Sequence, residues 1–433
     1  MEWQKSLSER TRAEVQFKDW TQNRKLSTLG TNAGSQILPF QTWHRFKEAY
    51  APELIERAIR ESEIPVHRLL DTFGGSGTSA LAAQFLGVDS TSIEINPFLA
   101  DVIKAKTHQY ESGILTHDLG LVVKNTLRSE GRLERFAHCP PTFVEPGVKG
   151  RYIYSAPIAK ILSALLDSIE ELKEKSHQRL FKVILGGILV SVSNVYVNGK
   201  GRRYRRGWEN RNIKPEMVLD MFVQSAARAI EEIHAHSNRH YAKAEVVNAD
   251  SRVAVADVSG VDLVVFSPPY PNSFDYTDVY NVELWILGYL NSFDDNKSLR
   301  SSTLTSHVQI ARTYEAAPSG SSSLDNSLKY LLAKKDALWS PWIPQMIGAY
   351  FADMGVVLKG CSKALSKGGE VWMVVGNSQY AGVSIEVDQI LVELAPTWGL
   401  AFKKREPFRS MRASAQQGGK QQLAETLVIL AKQ

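Results

Sequence analysis

The sequence predicts an α/β fold: a mostly parallel sheet with an antiparallel closing strand, plus an inserted helical subdomain. Three observations carry this. A short apolar strand at 66–73 runs through a glycine-rich turn into an apolar helix and then into a second strand at 90–95. Strand, helix and strand in that order form a crossover between parallel neighbours. Two more apolar runs, 261–267 and 370–376, resume the pattern after a long interval, and 400–405 with 425–432 read as a closing pair.

The remaining elements follow in order. Residues 1–35 are polar, with a loop over 30–36. A helix is expected over 51–60, with Pro52 in its first turn, where a missing N–H costs nothing. The helix after the glycine turn spans 77–87 and ends at Gly87. Residues 1–107 thus hold an N-terminal segment and the first half of the sheet domain. Residues 108–240 break the rhythm with a long helical stretch at 156–191, a basic loop and an amphipathic helix at 215–234, and read as the insertion. Residues 241–433 complete the sheet, beginning with strands at 244–250 and 261–267. Within this part 291–327 is polar, with a flexible loop at 318–323, and a helix covers 343–365. No internal repeat is evident.

Composition bounds the function. The chain has 433 residues, 43% hydrophobic and 22% charged, which excludes wholesale disorder. Its two cysteines, Cys139 and Cys361, lie far apart with no CxxC pair, so a structural zinc site is not expected, and no metal is called for. No window of eighteen apolar residues exists and the first ten residues are polar, so no membrane association and a cytoplasmic location are expected. Net charge is +5, but it is unevenly spread: 200–214 carries seven basic residues against the single acid Glu209. Such a concentration suits a polyanion.

Two constellations carry the chemistry. The first is Asp71-Thr-Phe-Gly-Gly-Ser-Gly-Thr, a strand-to-helix turn whose glycines let backbone N–H groups approach a ligand. Glu94 ends the next strand, about 20 positions on, where an acid holds ribose hydroxyls. The spacing matches neither the dinucleotide GxGxxG pattern nor a P-loop, which needs a lysine. The second is Ser267-Pro-Pro-Tyr at the end of a very apolar strand. Consecutive prolines cannot continue a ladder and form a stiff extended piece. That rigidity presents the Ser267 hydroxyl and the Pro268 carbonyl as acceptors, with Tyr270 as a stacking surface. An amine held by two acceptors and stacked on a ring can aim its lone pair at an electrophile.

These motifs resemble those of the S-adenosylmethionine-dependent DNA amino-methyltransferases. Asp71–Thr78 looks like their FxGxG motif, and Ser267-Pro-Pro-Tyr like their catalytic (S/D/N)PP(Y/F) motif. Ser92-Ile-Glu-Ile-Asn-Pro resembles the ribose segment, and Asn248-Ala-Asp-Ser the segment that meets the adenine amine. The resemblance implies a Rossmann-like methyltransferase sheet and S-adenosylmethionine as cofactor. It implies Asp71, Phe73, Gly75, Ser76, Gly77, Thr78, Glu94, Asn96 and Asp250 as cofactor-binding residues, and Ser267, Pro268, Pro269 and Tyr270 as catalytic ones. The activity implied is methyl transfer to the exocyclic amine of a flipped base in DNA. Serine in the catalytic motif favours N4 of cytosine; an adenine-N6 enzyme and an RNA amino-methyltransferase are the alternatives. The family acts in modification systems, so a cognate restriction or defence component is an expected partner. Residues 108–240 match no family motif and are the candidate for target recognition. Within it Lys200, Arg202, Arg203, Arg205 and Arg206, interleaved with Tyr204 and Trp208, are expected to hold the DNA backbone. Phe274, Asp275, Tyr276 and Tyr280 are candidates for the base pocket, and His44, Arg45 and Lys47 for the cofactor carboxylate.

Overall fold

The computed structural model describes residues 2–32, 34–46, 48–198, 201–412 and 422–433. Seven strands form the main sheet: β1 (Arg68–Asp71), β2 (Asp89–Ile93), β3 (Ala244–Val247), β4 (Val261–Phe266), β5 (Leu365–Gly376), β6 (Leu400–Arg412) and β7 (Gln422–Lys432). Their order across the sheet is β3-β2-β1-β4-β5-β7-β6. Pairing is parallel from β3 through β5, while β7 runs antiparallel to both β5 and β6. The fold is therefore the expected α/β, Rossmann-like sheet with its antiparallel closing strand.

Period-two alternation decides which side chains meet which layer. Leu69, Leu263, Val265, Trp372 and Val374 face one buried cluster, which holds Leu54, Ile55 and Ala58 of the helix Glu53–Glu61 and the helices of 108–240. Their neighbours Leu70, Val264, Phe266, Val371 and Met373 face the other, packed by Ile343–Ala364 and Val387–Leu394. Both faces being covered explains why these strands read as continuous apolar runs. Strand order reverses between β1 and β4, so their C-terminal ends diverge and leave a crevice.

Several elements differ from the expectation. The polar N-terminus is a helix, Glu2–Trp20, whose narrow seam buries Ala13, Phe17 and Trp20. Trp20 stacks on Phe85 at 4.6 Å, and its indole N–H donates to the Pro39 carbonyl. Removing so large a buried ring costs about 3 kcal/mol or more, so Trp20→Ala should lower the unfolding midpoint clearly in a thermal melt. The stretch 156–191 is two helices, Ala156–Glu170 and Lys175–Leu189, turned back on each other, because 171–174 places Glu171, Lys173 and Glu174 at the surface. The basic loop is a β-hairpin, Val195–Asn198 with Gly201–Tyr204. The stretch 318–323 is partly ordered: Ser321 caps a helix, Ser322–Ala333, by accepting from the Leu324 N–H. Another helix, Phe293–Ser301, lies in the preceding polar region. Among the described residues no helix is long and apolar enough to cross a membrane.

Candidate active site

The crevice opens into a cavity of about 380 Å³ at the C-terminal ends of β1, β2 and β4. Asp71, Phe73, Gly75, Ser76, Thr78, Glu94, Asn96 and Asp250 line it, and so do Ser267, Pro268, Pro269 and Tyr270. The two motifs, about 190 positions apart in the chain, thus share one chamber. Gly77 is the exception and does not line it. Gly77 instead has φ +81°, and a Cβ there would sit 3.0 Å from Ile103, so this glycine lets the turn pack on the helix Pro97–Thr107.

Asp71 organises the turn. Its carboxylate accepts from the Phe73 N–H at 2.9 Å and from the hydroxyls of Ser79 and Tyr50. Burial pushes its carboxyl up to about 6 despite those donors. Glu94 is 7% exposed and accepts from the Gly75 N–H at 2.7 Å on one oxygen and from the Asn96 N–H at 2.8 Å on the other. Burial again dominates and raises it to about 7. Each oxygen keeps one lone pair for a further donor. Asn96 caps the helix Pro97–Thr107 by accepting from the Phe98 and Leu99 N–H groups. Asp250 caps Ser251–Ala254 and pairs with Arg252, itself paired with Asp353. The Asn248 side-chain amide donates to the Glu94 and Ile95 carbonyls, which ties the end of β3 to that of β2.

At the other motif, the Ser267 hydroxyl donates to the Val374 carbonyl at 2.9 Å. Its one proton is thereby committed, so toward the cavity Ser267 presents acceptor lone pairs. The Tyr270 hydroxyl lies 3.3 Å from Ser267 Oγ and donates to Glu425 Oε1 at 3.0 Å. Glu425 pairs in turn with Arg409. Both line the cavity, and both come from the closing strands, where nothing in the sequence pattern singles them out.

Phe274, Tyr276 and Tyr280 line the same space, as do Phe46 and Glu48. Phe46 stacks nearly parallel to Tyr280, whose hydroxyl donates to Glu48. Asp275 is not on the wall; it caps Tyr276–Val279 and pairs with Arg300. His44 does not reach the cavity either. It is buried edge-on against Phe98, burial lowers it to about 3, and it is a neutral packing residue. Arg45 is exposed and off the wall, and Lys47 lies outside the described residues.

In the hairpin and the turn just after it, Arg203 and Arg206 are exposed. Arg202 lies 5.0 Å over the Phe143 ring, and Arg205 donates to the Val190 carbonyl, so both are half-engaged in packing. Lys200 lies outside the described residues. The hairpin abuts the segment that follows Ser267–Tyr270: a Cβ on Gly201 would fall 2.7 Å from Asp278 Oδ2.

The residues fit S-adenosylmethionine. The cavity is within the usual range for small-molecule sites, about 300–1,000 Å³. It combines apolar wall at Phe73, Ile95 and Leu99 with carboxylates at Glu94 and Asp250 for the donors of a ribose and an adenine. Fold and cavity together define an α/β protein with a ligand-sized crevice at a sheet switch point. No family model matches the chain. The chain is 24% identical over 436 residues to the Type II methyltransferase M.AvaI of Nostoc sp., covering 92% of this chain and 86% of that protein. It is likewise 24% identical over 456 residues to the Type II methyltransferase M.BsoBI of Geobacillus stearothermophilus, with coverage of 92% and 86%. These similarities support a methyltransferase enzyme. The solved rRNA methyltransferase AviRa of Streptomyces viridochromogenes aligns over 90% of this chain and 89% of its own, with a TM-score of 0.31 at 10% identity. That likeness is too distant to carry weight.

Proposed function

We propose that the protein is a site-specific DNA methyltransferase that methylates the exocyclic amine of a flipped base, with N4 of cytosine as the favoured position. The observation that carries this reading is the shared cavity: the glycine turn with Glu94 and the Ser267–Tyr270 segment open into one chamber. When bound, S-adenosylmethionine supplies a methyl group already attached to a good leaving group. Glu94 accepts hydrogen bonds from the ribose hydroxyls and Asp250 from the adenine amine. Gly75, Ser76 and Thr78 bring backbone and small side chains against the cofactor, and Phe73 covers it. A duplex hides its amines, so the target nucleotide must leave the stack at a cost of about a few kcal/mol. Ser267 Oγ and the Pro268 carbonyl then accept from the amine, Pro269 keeps the segment stiff, and Tyr270 stacks on the base. Positioning and acceptors aimed at the amine are what the protein contributes. We place the enzyme in a cytoplasmic modification system with a cognate restriction or defence component.

Mass spectrometry of digested DNA from cells expressing the protein tests this directly. N4-methylcytosine is the expected product. N6-methyladenine would move the enzyme to the adenine class, and methylation of RNA alone would move it to RNA.

The exposed arginines Arg203 and Arg206 are proposed to contact the DNA backbone beside the flipped base. Each phosphate contact adds about one unit to the dependence of log affinity on log salt. Replacing both with alanine should flatten that slope by about two and weaken all DNA sequences alike. An unchanged slope in a titration from low to high salt would remove the hairpin from the interface.

A further inference from the structure

We propose that the Arg409–Glu425 ion pair selects the target base, with Arg409 donating to the acceptor edge beside the target amine. The inference rests on the methyl-transfer reading above and deepens it. Glu425 is nearly inaccessible, with 3% of its side chain exposed, and its carboxylate takes Arg409 Nε at 2.5 Å and Nη2 at 3.1 Å. Taking the Glu425 carboxylate out of water is costly, and the chain makes specific room for it. A Cβ on Gly30 would lie 2.6 Å from Glu425 Oε2. The pair is aimed at the site: Ser267 Oγ, Tyr270 Oη, Glu425 and Arg409 form an unbroken line of contacts along the cavity wall. Arg409 keeps 38% of its side chain exposed, and its Nη1 bonds no other described residue.

The orientation of the base follows from this line. An amine anchored at Ser267, in a base stacked on Tyr270, puts its hydrogen-bonding edge at the hydroxyl end of the ring. That is the end where Arg409 stands. Beside its amine cytosine carries two acceptors in a row, N3 and O2. On the same Watson–Crick edge adenine carries only N1, followed by a C–H; its other acceptor beside the amine, N7, lies on the opposite edge. A guanidinium has donors alone, set in a planar fork, and is satisfied by the first pattern better than by the second.

Arg409→Lys is the discriminating variant. Lysine keeps the charge opposite Glu425 but not the fork. A purely structural ion pair tolerates it; a base reader does not. The measurement is the yield of N4-methylcytosine and N6-methyladenine per hour on unmodified genomic DNA, with S-adenosylmethionine affinity by calorimetry as the check on folding. A good bidentate contact discriminates by roughly ten- to hundredfold. Cytosine methylation should fall by about that factor in Arg409→Lys and at least as far in Arg409→Ala, with cofactor affinity unchanged, and any residual product should shift toward adenine. Parental rate and product ratio in both variants would overturn the proposal. N6-methyladenine from the parental enzyme would overturn it while leaving the methyl-transfer reading intact. No methylated DNA from the parental enzyme would sink that reading and this proposal with it.

Discussion

Replacing Tyr270 by alanine is expected to lower DNA methylation by about a hundredfold while leaving S-adenosylmethionine affinity nearly unchanged. In the proposed reading the ring faces the target base, and its hydroxyl is pinned by Glu425 at 3.0 Å. Stacking of a base on an aromatic side chain contributes about 1–3 kcal/mol, up to roughly a hundredfold in rate if it is realised in the reacting geometry. The variant also leaves the Arg409–Glu425 pair without its hydroxyl donor, which adds to the loss. The cofactor side is insulated, because the glycine turn and Glu94 are held by Asp71, Asn96 and Asn248 and make no bond to Tyr270. Single-turnover kinetics with calorimetry separates the two quantities. A parental turnover rate in Tyr270→Ala would show that the base stacks elsewhere. Tyr270→Phe keeps the ring and should recover most of the stacking, but it frees the ring from Glu425; a partial recovery would measure what that bond adds.

The sheet was legible because its strands are covered on both faces. Leu69 and Leu70, or Val264 and Val265, are each buried in opposite layers, and such strands appear as apolar runs that stand out from polar surroundings. The glycine turn and the proline pair were legible because both use residues with unusual backbone chemistry. What escaped has a common physical character. The helix Glu2–Trp20 docks through a narrow seam, Ala13, Phe17 and Trp20, within a polar average. The break at 171–174 depends on how two amphipathic helices pack, not on a proline or glycine. Glu425 and Arg409 are ordinary charged residues on ordinary strands, and only the antiparallel placement of β7 beside β5 carries them to Ser267. The spacing Arg409 to Glu425 has no motif value until the two strands pair, with Arg409 opposite Glu425.

Glu94→Gln is expected to weaken S-adenosylmethionine about ten- to hundredfold, and the parental affinity should itself depend on pH. The charged carboxylate accepts hydrogen bonds from hydroxyl donors, and bonds of that kind contribute about 1.5–3 kcal/mol each. Burial holds Glu94 up to about 7 in the free protein, so near neutral pH it is partly protonated. Affinity should therefore rise as pH increases through about 7, because hydroxyl donors bind the ionised form, and this rise should disappear in Glu94→Gln. The stability of the free protein moves the opposite way. A carboxyl whose folded-state value is raised above the ordinary glutamate value of 4.5 binds its proton more tightly when folded. Stability is then lost as pH climbs from the unfolded value through about 7. Asp71, raised to about 6, contributes to the same trend and remains in the variant. The melting midpoint of Glu94→Gln should accordingly gain on that of the parental protein as pH rises from about 5 to about 8. Calorimetric titrations and melts over that range test both halves. Affinity that is flat with pH, or unchanged in a folded Glu94→Gln, would take Glu94 out of the cofactor site.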